Sequence, residues 1–364
     1  MKLHIIVGTR PEIIRLSETI KLARNIFNVT LIHTGQNYDY QLNEVFFQDL
    51  SLENPDVYLE CDMKNLGTSV GSIIQKSYEY FKENKPDCIL VLGDTNSCLC
   101  SYSAKRLKIP IFHIEAGNRC FDPNVPEEVN RKIIDHLADV NMCYMEHARR
   151  NLLQEGLSSK YLFVIGSPIP EILNTLNFEE SDVLNKLKLK EKEYFVVSTH
   201  REENINIKNN FQKVIESINK IAETFNKKIV FTVHPRTRKM LEEKKINFNN
   251  KLILSKPFGI KDYYKLQKNA KCVISDSGTV TEESSVLKFP AVLLRTSTEH
   301  PEGVDSGNIV IGNIKPDDIV RNINLAINTK FNKISNYKDS NFSQKVCNII
   351  SGYTDIVNKF IWMK

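Results

Sequence analysis

Short apolar runs rich in β-branched residues alternate with amphipathic helical patterns along the whole chain of 364 residues. The first series of strand-like runs covers Leu3–Val7, Val29–His33, Cys88–Leu92, Ile111–Ile114, Val140–Tyr144 and Leu162–Ile165. The second series covers Tyr194–Ser198, Lys228–Val233, Leu252–Leu254, Cys272–Ser275, Ala291–Leu294 and Asn308–Ile311. Strands that alternate with helices form parallel sheets covered on both faces. The pattern therefore predicts an α/β fold with two Rossmann-like, doubly wound domains.

The break between the two series sets the predicted domain boundaries. The chain length supports two domains, because a single hydrophobic core rarely extends beyond about 250–300 residues. A Gly-Ser-Pro sequence at 166–168 and a charged, polar stretch at 174–193 separate the series. We predict an N-terminal domain at 1–170 and a C-terminal domain at 171–342. Helical spacing at 343–364 predicts a helix that packs back onto the first domain.

Bulk properties argue against several classes of protein. The formal charge of +5, from 49 basic and 44 acidic residues, is small and spread along the chain, which argues against nucleic-acid binding. No apolar run reaches membrane-spanning length, and no signal peptide precedes the first strand pattern, so no membrane association is expected. None of the eight cysteines forms a C-x-x-C pair. No zinc site is predicted, and a reducing cytoplasm is the expected location.

Three carboxylates are predicted to face one crevice in the first domain. Asp94 and Glu115 each follow an apolar run, at the end of a strand where an α/β sheet presents groups to a ligand. Glu127 opens the helical pattern that comes next, and Arg131 lies one turn further along. Acids that face each other repel, which raises at least one pKa and suits proton transfer. The sequence therefore predicts an enzyme.

The turn after the first strand predicts an anion site. Gly8 and Thr9 precede Pro11 at the start of a helical pattern, so backbone N–H groups would point at a ligand from a helix N-terminus. Arg10 and Arg15 would stand nearby. A tight turn with solvated arginines explains the same residues equally well.

A similar turn follows a strand in the second domain. Ser277, Gly278 and Thr279 end a strand pattern and open a helical one, so they can hydrogen-bond a diphosphate. Glu283, one helical turn later, is placed to reach ribose hydroxyls. A capping box with Ser277 as the N-cap is the alternative interpretation, and both can hold together.

Two histidines follow strands of the second series. His200 is a candidate general acid, and Arg201 and Glu203 beside it can hold a sugar ring and a phosphate. His234 has the same placement after the next strand and carries less weight. A Ser/His/Asp nucleophile is rejected, because the chain has no G-x-S-x-G turn.

Six motifs, in this order, resemble those of the non-hydrolysing UDP-N-acetylglucosamine 2-epimerases. They are Gly8-Thr9-Arg10-Pro11-Glu12, Gly93-Asp94-Thr95, His113-Ile114-Glu115-Ala116-Gly117, Pro126-Glu127-Glu128-Val129-Asn130-Arg131, His200-Arg201-Glu202-Glu203-Asn204 and Ser275-Asp276-Ser277-Gly278. They span nearly the whole chain. The resemblance implies a glycosyltransferase-B type fold, with a UDP-sugar in the cleft between two domains.

Further segments resemble one branch of this family, which makes UDP-N-acetyl-L-fucosamine from its L-talo epimer for capsule and O-antigen pathways. They are Thr34-Gly35-Gln36-Asn37-Tyr38-Asp39-Tyr40, Glu115-Ala116-Gly117-Asn118-Arg119-Cys120-Phe121-Asp122 and Arg295-Thr296-Ser297-Thr298-Glu299. The branch that makes UDP-N-acetylmannosamine usually has leucine where this chain has Asn118, and glycine in place of Thr279. His300 replaces a usual arginine. The stretch at 37–39 departs from the pattern that binds a regulatory substrate molecule in the common branch.

The resemblance also implies a mechanism, in which UDP is eliminated to give a glycal and then added back. It implies that Asp94, Glu115 and Glu127 move the proton at C2 and that His200 assists the leaving phosphate. UDP would be held by Arg10, Arg15, Arg131, Ser277, Gly278, Thr279 and Glu283, with further sugar or phosphate contacts from Arg201, Glu203, His234 and Arg295. No metal or redox cofactor is expected. A homodimer is expected. The alternatives are UDP-N-acetylglucosamine as the substrate, a glycosyltransferase of the same fold and a non-catalytic UDP-sugar sensor.

Overall fold

The computed structural model describes residues 1–36, 47, 49–199, 210–233, 249–313 and 315–364. These residues form two compact units. The first unit combines Met1–Thr175 with Lys338–Lys364, and the second is Leu176–Tyr337. In the described part of the chain, no helix is both long and apolar enough to cross a membrane.

The first unit is built on a parallel sheet. Its strands are β1 (Lys2–Val7), β2 (Asn28–His33), β3 (Val57–Tyr58), β4 (Cys88–Leu92), β5 (Ile111–Ile114), β6 (Val140–Cys143) and β7 (Leu162–Val164). They lie side by side in the order β3-β2-β1-β4-β5-β6-β7. The helices are α1 (Arg10–Ile26), α2 (Leu66–Asn84), α3 (Cys100–Arg106), α4 (Pro126–Leu137), α5 (Glu146–Gln154) and α6 (Ile169–Thr175). The order changes direction between β1 and β4, which is the feature that creates a ligand crevice in such sheets.

The second unit repeats this architecture. Its strands are β8 (Tyr194–Ser198), β9 (Lys228–Thr232), β10 (Leu252–Ser255), β11 (Cys272–Ser275), β12 (Ala291–Leu294) and β13 (Ile309–Gly312), in the order β10-β9-β8-β11-β12-β13. Its helices are α7 (Val183–Lys186), α8 (Asn210–Phe225), α9 (Ile260–Asn269), α10 (Val280–Leu287), α11 (Pro301–Asp305) and α12 (Pro316–Ile327). All described pairings are parallel, and the change of direction falls between β8 and β11.

The strands of the second unit are buried on both faces. Phe195 and Val197 of β8 pack into one apolar cluster, whereas Tyr194 and Val196 pack into another. Successive side chains of a strand point to opposite faces, so the two clusters are the two sides of one sheet. This explains why the strand appears in the sequence as a continuous apolar run.

The last helix, α13 (Phe342–Phe360), belongs to the first unit. The hydroxyl of Ser343 lies 3.1 Å from that of Thr19 on α1 and donates to Glu171 on α6 at 2.6 Å. These contacts fix α6 and α13 to α1. The two compact units divide at residues 175/176 and 337/338, within five residues of the boundaries expected at 170 and 342.

Candidate active site

Two of the predicted acids lie on adjacent loops at the change of strand order in the first unit. Asp94 lies two residues beyond β4, and Glu115 follows β5 directly. The loops touch, because the N–H of Gly93 donates to the carbonyl of Ile114 at 2.9 Å. Gly93 has a φ of +75°, and a Cβ placed on it would lie 3.9 Å from Oε2 of Glu115. The sheet therefore brings the segments that carry Asp94 and Glu115 together.

Asp94 is held by the guanidinium of Arg131. Oδ2 of Asp94 accepts from Nε at 2.8 Å and from Nη2 at 2.7 Å, and Nη1 of Arg131 donates to Glu128 at 2.9 Å. Burial works against ionisation of Glu128, but hydrogen bonds from the Cys120 backbone and from Arg131 hold its pKa below the ordinary value. Arg131 thus bridges two acids, and its guanidinium orients Asp94.

Glu115 is held by a different arginine. Nη1 of Arg15 lies 3.1 Å from Oε2 of Glu115 and 3.0 Å from the Tyr144 hydroxyl. The amide of Asn118 lies 3.4 Å from the other carboxylate oxygen. Glu115 also has a φ of +68°, a left-handed conformation that costs energy in a residue other than glycine and tends to cluster at functional sites.

Glu127 is placed differently from the other two acids. It lies in the first turn of α4 and is exposed. Asn130, one turn later, donates to the carbonyl of Asp94 at 2.8 Å, so the helix that carries Glu127 is fastened to the Asp94 loop. Among the described residues, the arginine network that orients Asp94 and Glu115 does not include Glu127.

The predicted anion site at the start of α1 is filled by the protein itself. Oε2 of Glu12 accepts from the N–H of Gly8 at 2.9 Å, the N–H of Thr9 at 2.7 Å and the Thr9 hydroxyl at 2.9 Å. Its other oxygen accepts from the Thr95 hydroxyl at 2.7 Å. The N–H groups of Gly8 and Thr9 thus bind an internal carboxylate, and a ligand at this turn stays a prediction. The T-x-x-E spacing of a capping box was the signal to use.

Glu12 is a buried acid with a raised pKa beside the Asp94 loop. Burial raises the pKa of Glu12 to about 7, against the opposing effect of its hydrogen bonds to Thr95, Gly8 and Thr9. Thr95 directly follows Asp94, so Glu12 ties the end of β1 to the Asp94 loop. Glu12 was not predicted as a site residue.

The turn after β11 marks the corresponding position in the second unit. The N–H of Asp276 donates to the carbonyl of Ser198 at 3.2 Å, which joins the ends of β11 and β8. The hydroxyls of Ser277 and Thr279 lie 3.0 Å apart. The N-cap of α10 is Thr279, so the alternative interpretation, a capping box with Ser277 as the N-cap, is wrong.

A buried ion pair packs against this turn. A Cβ placed on Gly278 would lie 3.4 Å from Nη1 of Arg295 and 3.4 Å from Oε2 of Glu299. Arg295 and Glu299 form a two-armed pair, with Nη2 of the arginine donating to Oε1 at 2.7 Å. Glu283 on α10 is also buried and accepts from the Gln267 amide at 2.7 Å.

His300 lies beside the same turn in a cluster of acids. Its Nδ1 lies 3.2 Å from Glu302, which also accepts from the Tyr337 hydroxyl, and its Nε2 lies 3.8 Å from Glu282. Burial alone would lower the pKa of His300. The hydrogen bond and charge of Glu302, with the charges of Glu282 and Glu299, outweigh burial and raise the pKa to about 9.

The raised pKa of His300 predicts a pH dependence of stability. A histidine whose pKa is higher in the folded state stabilises the fold fully below its ordinary pKa of 6.5, and this contribution is lost as pH rises through about 9. We expect the unfolding free energy of the wild type, relative to His300→Gln, to fall by about 2–3 kcal/mol over this range. Urea unfolding of both proteins at about pH 6 and about pH 9.5 measures the change. A difference that stays constant would show that His300 is not charged in the fold.

Four candidate residues, His200, Arg201, Glu203 and His234, lie outside the described residues. Their placement after β8 and β9 stays a prediction.

The fold and the paired acids define a two-domain enzyme of the glycosyltransferase-B type, which confirms the predicted fold class. A family model described as UDP-N-acetylglucosamine 2-epimerase matches residues 20–351, and the chain belongs to this family. It is therefore an isomerase that epimerises C2 of a UDP-sugar.

Three relatives of this chain show which sugars are named for members of this family. The structure of UDP-N-acetylglucosamine 2-epimerase from Rickettsia bellii has a TM-score of 0.92 and 41% identity, and covers 100% of both chains. The Methanocaldococcus jannaschii enzyme, crystallised with UDP-GlcNAc and UDP, has a TM-score of 0.90 and 34% identity over 97% of this chain and 100% of that one. The UDP-2,3-diacetamido-2,3-dideoxy-D-glucuronate 2-epimerase of Pseudomonas aeruginosa is 30% identical over 86% of this chain and 88% of its own. Members thus differ in the sugar named for them.

Proposed function

We propose that the chain inverts C2 of a UDP-linked 2-acetamido sugar by eliminating UDP and adding it back. The observation that carries this proposal is the placement of Asp94 and Glu115 on adjacent loops, each held by its own buried arginine. The C2 hydrogen of such a sugar is not acidic, so direct exchange with water is very slow. Elimination makes its removal possible, because the C–H electrons form the C1–C2 double bond while the departing diphosphate takes the electrons of the C1–O bond.

In the proposed scheme, UDP leaves C1 as the proton leaves C2. A carboxylate takes the C2 proton, the C–H electrons form the C1–C2 double bond, and the C1–O bond breaks with its electrons on UDP. The glycal is then protonated at C2 on its other face while a diphosphate oxygen bonds to C1. Because the two faces need different proton partners, we assign these transfers to Asp94, Glu115 and Glu127. His200 is assigned to the leaving phosphate.

The proposed contacts to UDP come mainly from the second unit. Ser277, Gly278 and Thr279 follow β11 at the change of strand order, where such sheets bind phosphates, and Glu283 is assigned to the ribose. Arg10 is assigned to the diphosphate. Arg15 and Arg131 were assigned to UDP as well, but their pairs with Glu115 and Asp94 favour a role in orienting these acids. Arg201, Glu203, His234 and Arg295 stay candidate contacts or supports.

The space around Gly278 gives a test of the diphosphate turn. A β-carbon fits at 3.4 Å from the Arg295–Glu299 pair, so we expect Gly278→Ala to keep UDP affinity within about threefold. The further methyl groups of valine would press on that pair and displace the turn, so Gly278→Val should weaken UDP binding by about tenfold or more. Calorimetric titration of both variants with UDP measures the effect. Equal affinities would place UDP away from this turn.

We propose the L-talo and L-fuco pair of UDP-2-acetamido-2,6-dideoxy sugars as the substrate. The support is the resemblance to that branch, and the contact of Asn118, one of its marker residues, with Glu115. A side chain at this position can sense the sugar that Glu115 acts on. The alternative is UDP-N-acetylglucosamine, which is favoured by its presence in the Methanocaldococcus jannaschii complex.

Proton NMR in deuterated water tests both the reaction and the sugar. The protein is incubated separately with UDP-N-acetyl-L-fucosamine and UDP-N-acetylglucosamine, and deuterium at C2 is followed. We expect exchange and epimer formation to be faster with the first sugar. Faster exchange with the second would assign the chain to the alternative, and epimerisation that retains the C2 hydrogen would exclude the elimination scheme.

We also propose that the enzyme is a homodimer that supplies a sugar nucleotide for surface polysaccharide synthesis in the cytoplasm. The support is the family to which the chain belongs. Light scattering of the purified protein measures the assembly, and a monomeric mass at assay concentration would contradict it.

A further inference from the structure

A buried hydrogen-bond chain lies beneath the two acid loops and centres on His113. This residue lies in β5, two residues before Glu115, and is almost fully buried at 1% exposure. Its Nε2 lies 2.9 Å from the carbonyl oxygen of Gly93, the residue directly before Asp94. One imidazole therefore contacts the loop of the first acid and belongs to the strand that carries the second.

The other ring nitrogen contacts an acid that holds the Glu115 loop. Nδ1 of His113 lies 3.0 Å from Oδ1 of Asp135, a fully buried residue of α4. The carboxylate of Asp135 also accepts from the N–H of Gly117 at 3.2 Å and from Nη1 of Arg119 at 2.7 Å. Asp135 is thus anchored to the turn that follows Glu115, and His113 links this anchor to the turn that precedes Asp94.

The atoms that face the ring nitrogens are all acceptors. They are the Gly93 carbonyl, the Asp135 carboxylate and, at 3.4 Å, the side-chain oxygen of Asn141. The Asn141 amide nitrogen donates to the carbonyl of Asp135 at 2.9 Å, which turns its oxygen towards the ring. A neutral imidazole has one N–H and can donate on one side only. Because a carbonyl and a carboxylate only accept, both contacts are hydrogen bonds when both ring nitrogens carry hydrogens.

The turns joined by this chain have conformations that need support. Gly93 has a φ of +75°, Glu115 of +68° and Gly117 of +80°. A left-handed residue other than glycine persists only where its surroundings hold it. The hydrogen bonds of His113 and Asp135 reach the carbonyl before Asp94 and the N–H two residues after Glu115.

We propose that His113 is a positioning residue that fixes Asp94 relative to Glu115, with both of its ring nitrogens protonated. The proposal rests on the function proposed above, because it assumes that these two acids perform the proton transfers. It predicts that the bond to the Gly93 carbonyl controls turnover, since a displacement of about 1 Å at a reacting group can lower the rate by about a hundredfold.

Two substitutions test the hydrogen bonds of the two ring nitrogens separately. The amide nitrogen of glutamine reaches the position of Nε2, so His113→Gln keeps a donor for Gly93. The amide nitrogen of asparagine reaches only the position of Nδ1, so His113→Asn keeps the donor for Asp135 and loses the one for Gly93. We expect His113→Asn to lower kcat by about tenfold to a hundredfold with KM changed by less than about threefold, and His113→Gln to retain most of the turnover.

The matched control is His4→Asn. His4 is also a buried histidine of the same sheet, in β1. Thermal unfolding is measured for all variants. The His4→Asn result gives the loss of melting temperature when a buried imidazole that does not contact the acid loops is removed. The proposal is overturned if His113→Asn and His113→Gln have the same kcat, or if the loss of kcat follows the loss of melting temperature as it does for His4→Asn.

A spectroscopic test does not depend on catalysis. Nitrogen-15 NMR of the wild type, with the His113 signal assigned by its loss in His113→Gln, should show hydrogens on both ring nitrogens. A single-tautomer signal would overturn the proposal whatever the activity. If neither UDP-sugar exchanges its C2 hydrogen, the proposed function fails while the spectrum still decides the protonation of His113. If exchange occurs but the two variants are equal, only the positioning role fails.

Discussion

Replacing Asp94 with asparagine will lower kcat for C2 exchange by about a hundredfold to ten-thousandfold. The variant keeps the shape of the side chain, and its amide oxygen can still accept from Nε of Arg131 as Oδ2 of Asp94 does at 2.8 Å, but an amide cannot take up the proton. In the proposed scheme, proton transfer at C2 would then lack one of its partners, while the proposed UDP contacts of the second unit stay unchanged. Deuterium incorporation at C2, measured by NMR with the UDP-sugar in excess, gives the loss, and calorimetry with UDP should give an unchanged affinity.

Glu128→Gln is the matched control for Asp94→Asn. Glu128 is the other carboxylate that binds Arg131, with Nη1 of the arginine at 2.9 Å. It is buried on the inner side of α4, and we expect its substitution to lower stability while kcat stays within about tenfold of the wild type. If both variants lost turnover equally, Asp94 would act only by holding Arg131 in place.

Replacing Glu12 with alanine will lower the unfolding free energy by about 3 kcal/mol. The substitution leaves the buried N–H of Gly8 and the N–H of Thr9 without the carboxylate that accepts from both, and Thr95 loses its partner as well. Urea unfolding, followed by circular dichroism, measures the change. Because Thr95 follows Asp94 directly, we also expect slower C2 exchange.

Glu12→Gln is the informative comparison for this capping carboxylate. The amide oxygen can accept from Gly8 and Thr9 while the amide nitrogen donates to the Thr95 hydroxyl, so the loss should stay below about 1 kcal/mol. Burial raises the pKa of Glu12 from 4.5 to about 7. Its contribution is therefore full below pH 4.5 and is lost as pH rises through 7, so the stability of the wild type relative to Glu12→Gln should fall over that range. A rise would show that the capped carboxylate is preferred in its ionised form.

The strands could be predicted from the sequence because burial on both faces leaves a continuous apolar run. The predicted strand limits agree with the structure within one residue at each end, as at Cys88–Leu92 and Ala291–Leu294. The two-residue strand Val57–Tyr58 was missed, because so short a run carries no periodicity. The limits of the compact units depend on contacts such as that of Glu171 with Ser343, which are far apart in sequence and leave no local pattern.

The candidate site was predicted in part. Strand ends are visible in the sequence, so the positions of Asp94 and Glu115 followed from general rules of parallel sheets. The arginines that pair with these acids could not be predicted in this way. Whether Arg15 and Arg131 bind a ligand or a neighbouring carboxylate depends on distances between segments that the sequence places about a hundred and about forty residues apart. Glu12 was missed although its capping pattern is local, because the same turn also resembles an anion site.

The contacts of α13 with α1 and α6 affect the order in which the two units can fold during translation. Residues from both ends of the chain complete the first unit, and residues 176–337 are synthesised in between. Domains that are contiguous in sequence can fold on the ribosome as they emerge. The second unit meets that condition, whereas the first must wait for the final twenty or so residues to be translated. A chain that ends just before α13 would therefore keep a contiguous second unit but would lack the contacts of Ser343 with Thr19 and Glu171 in the first.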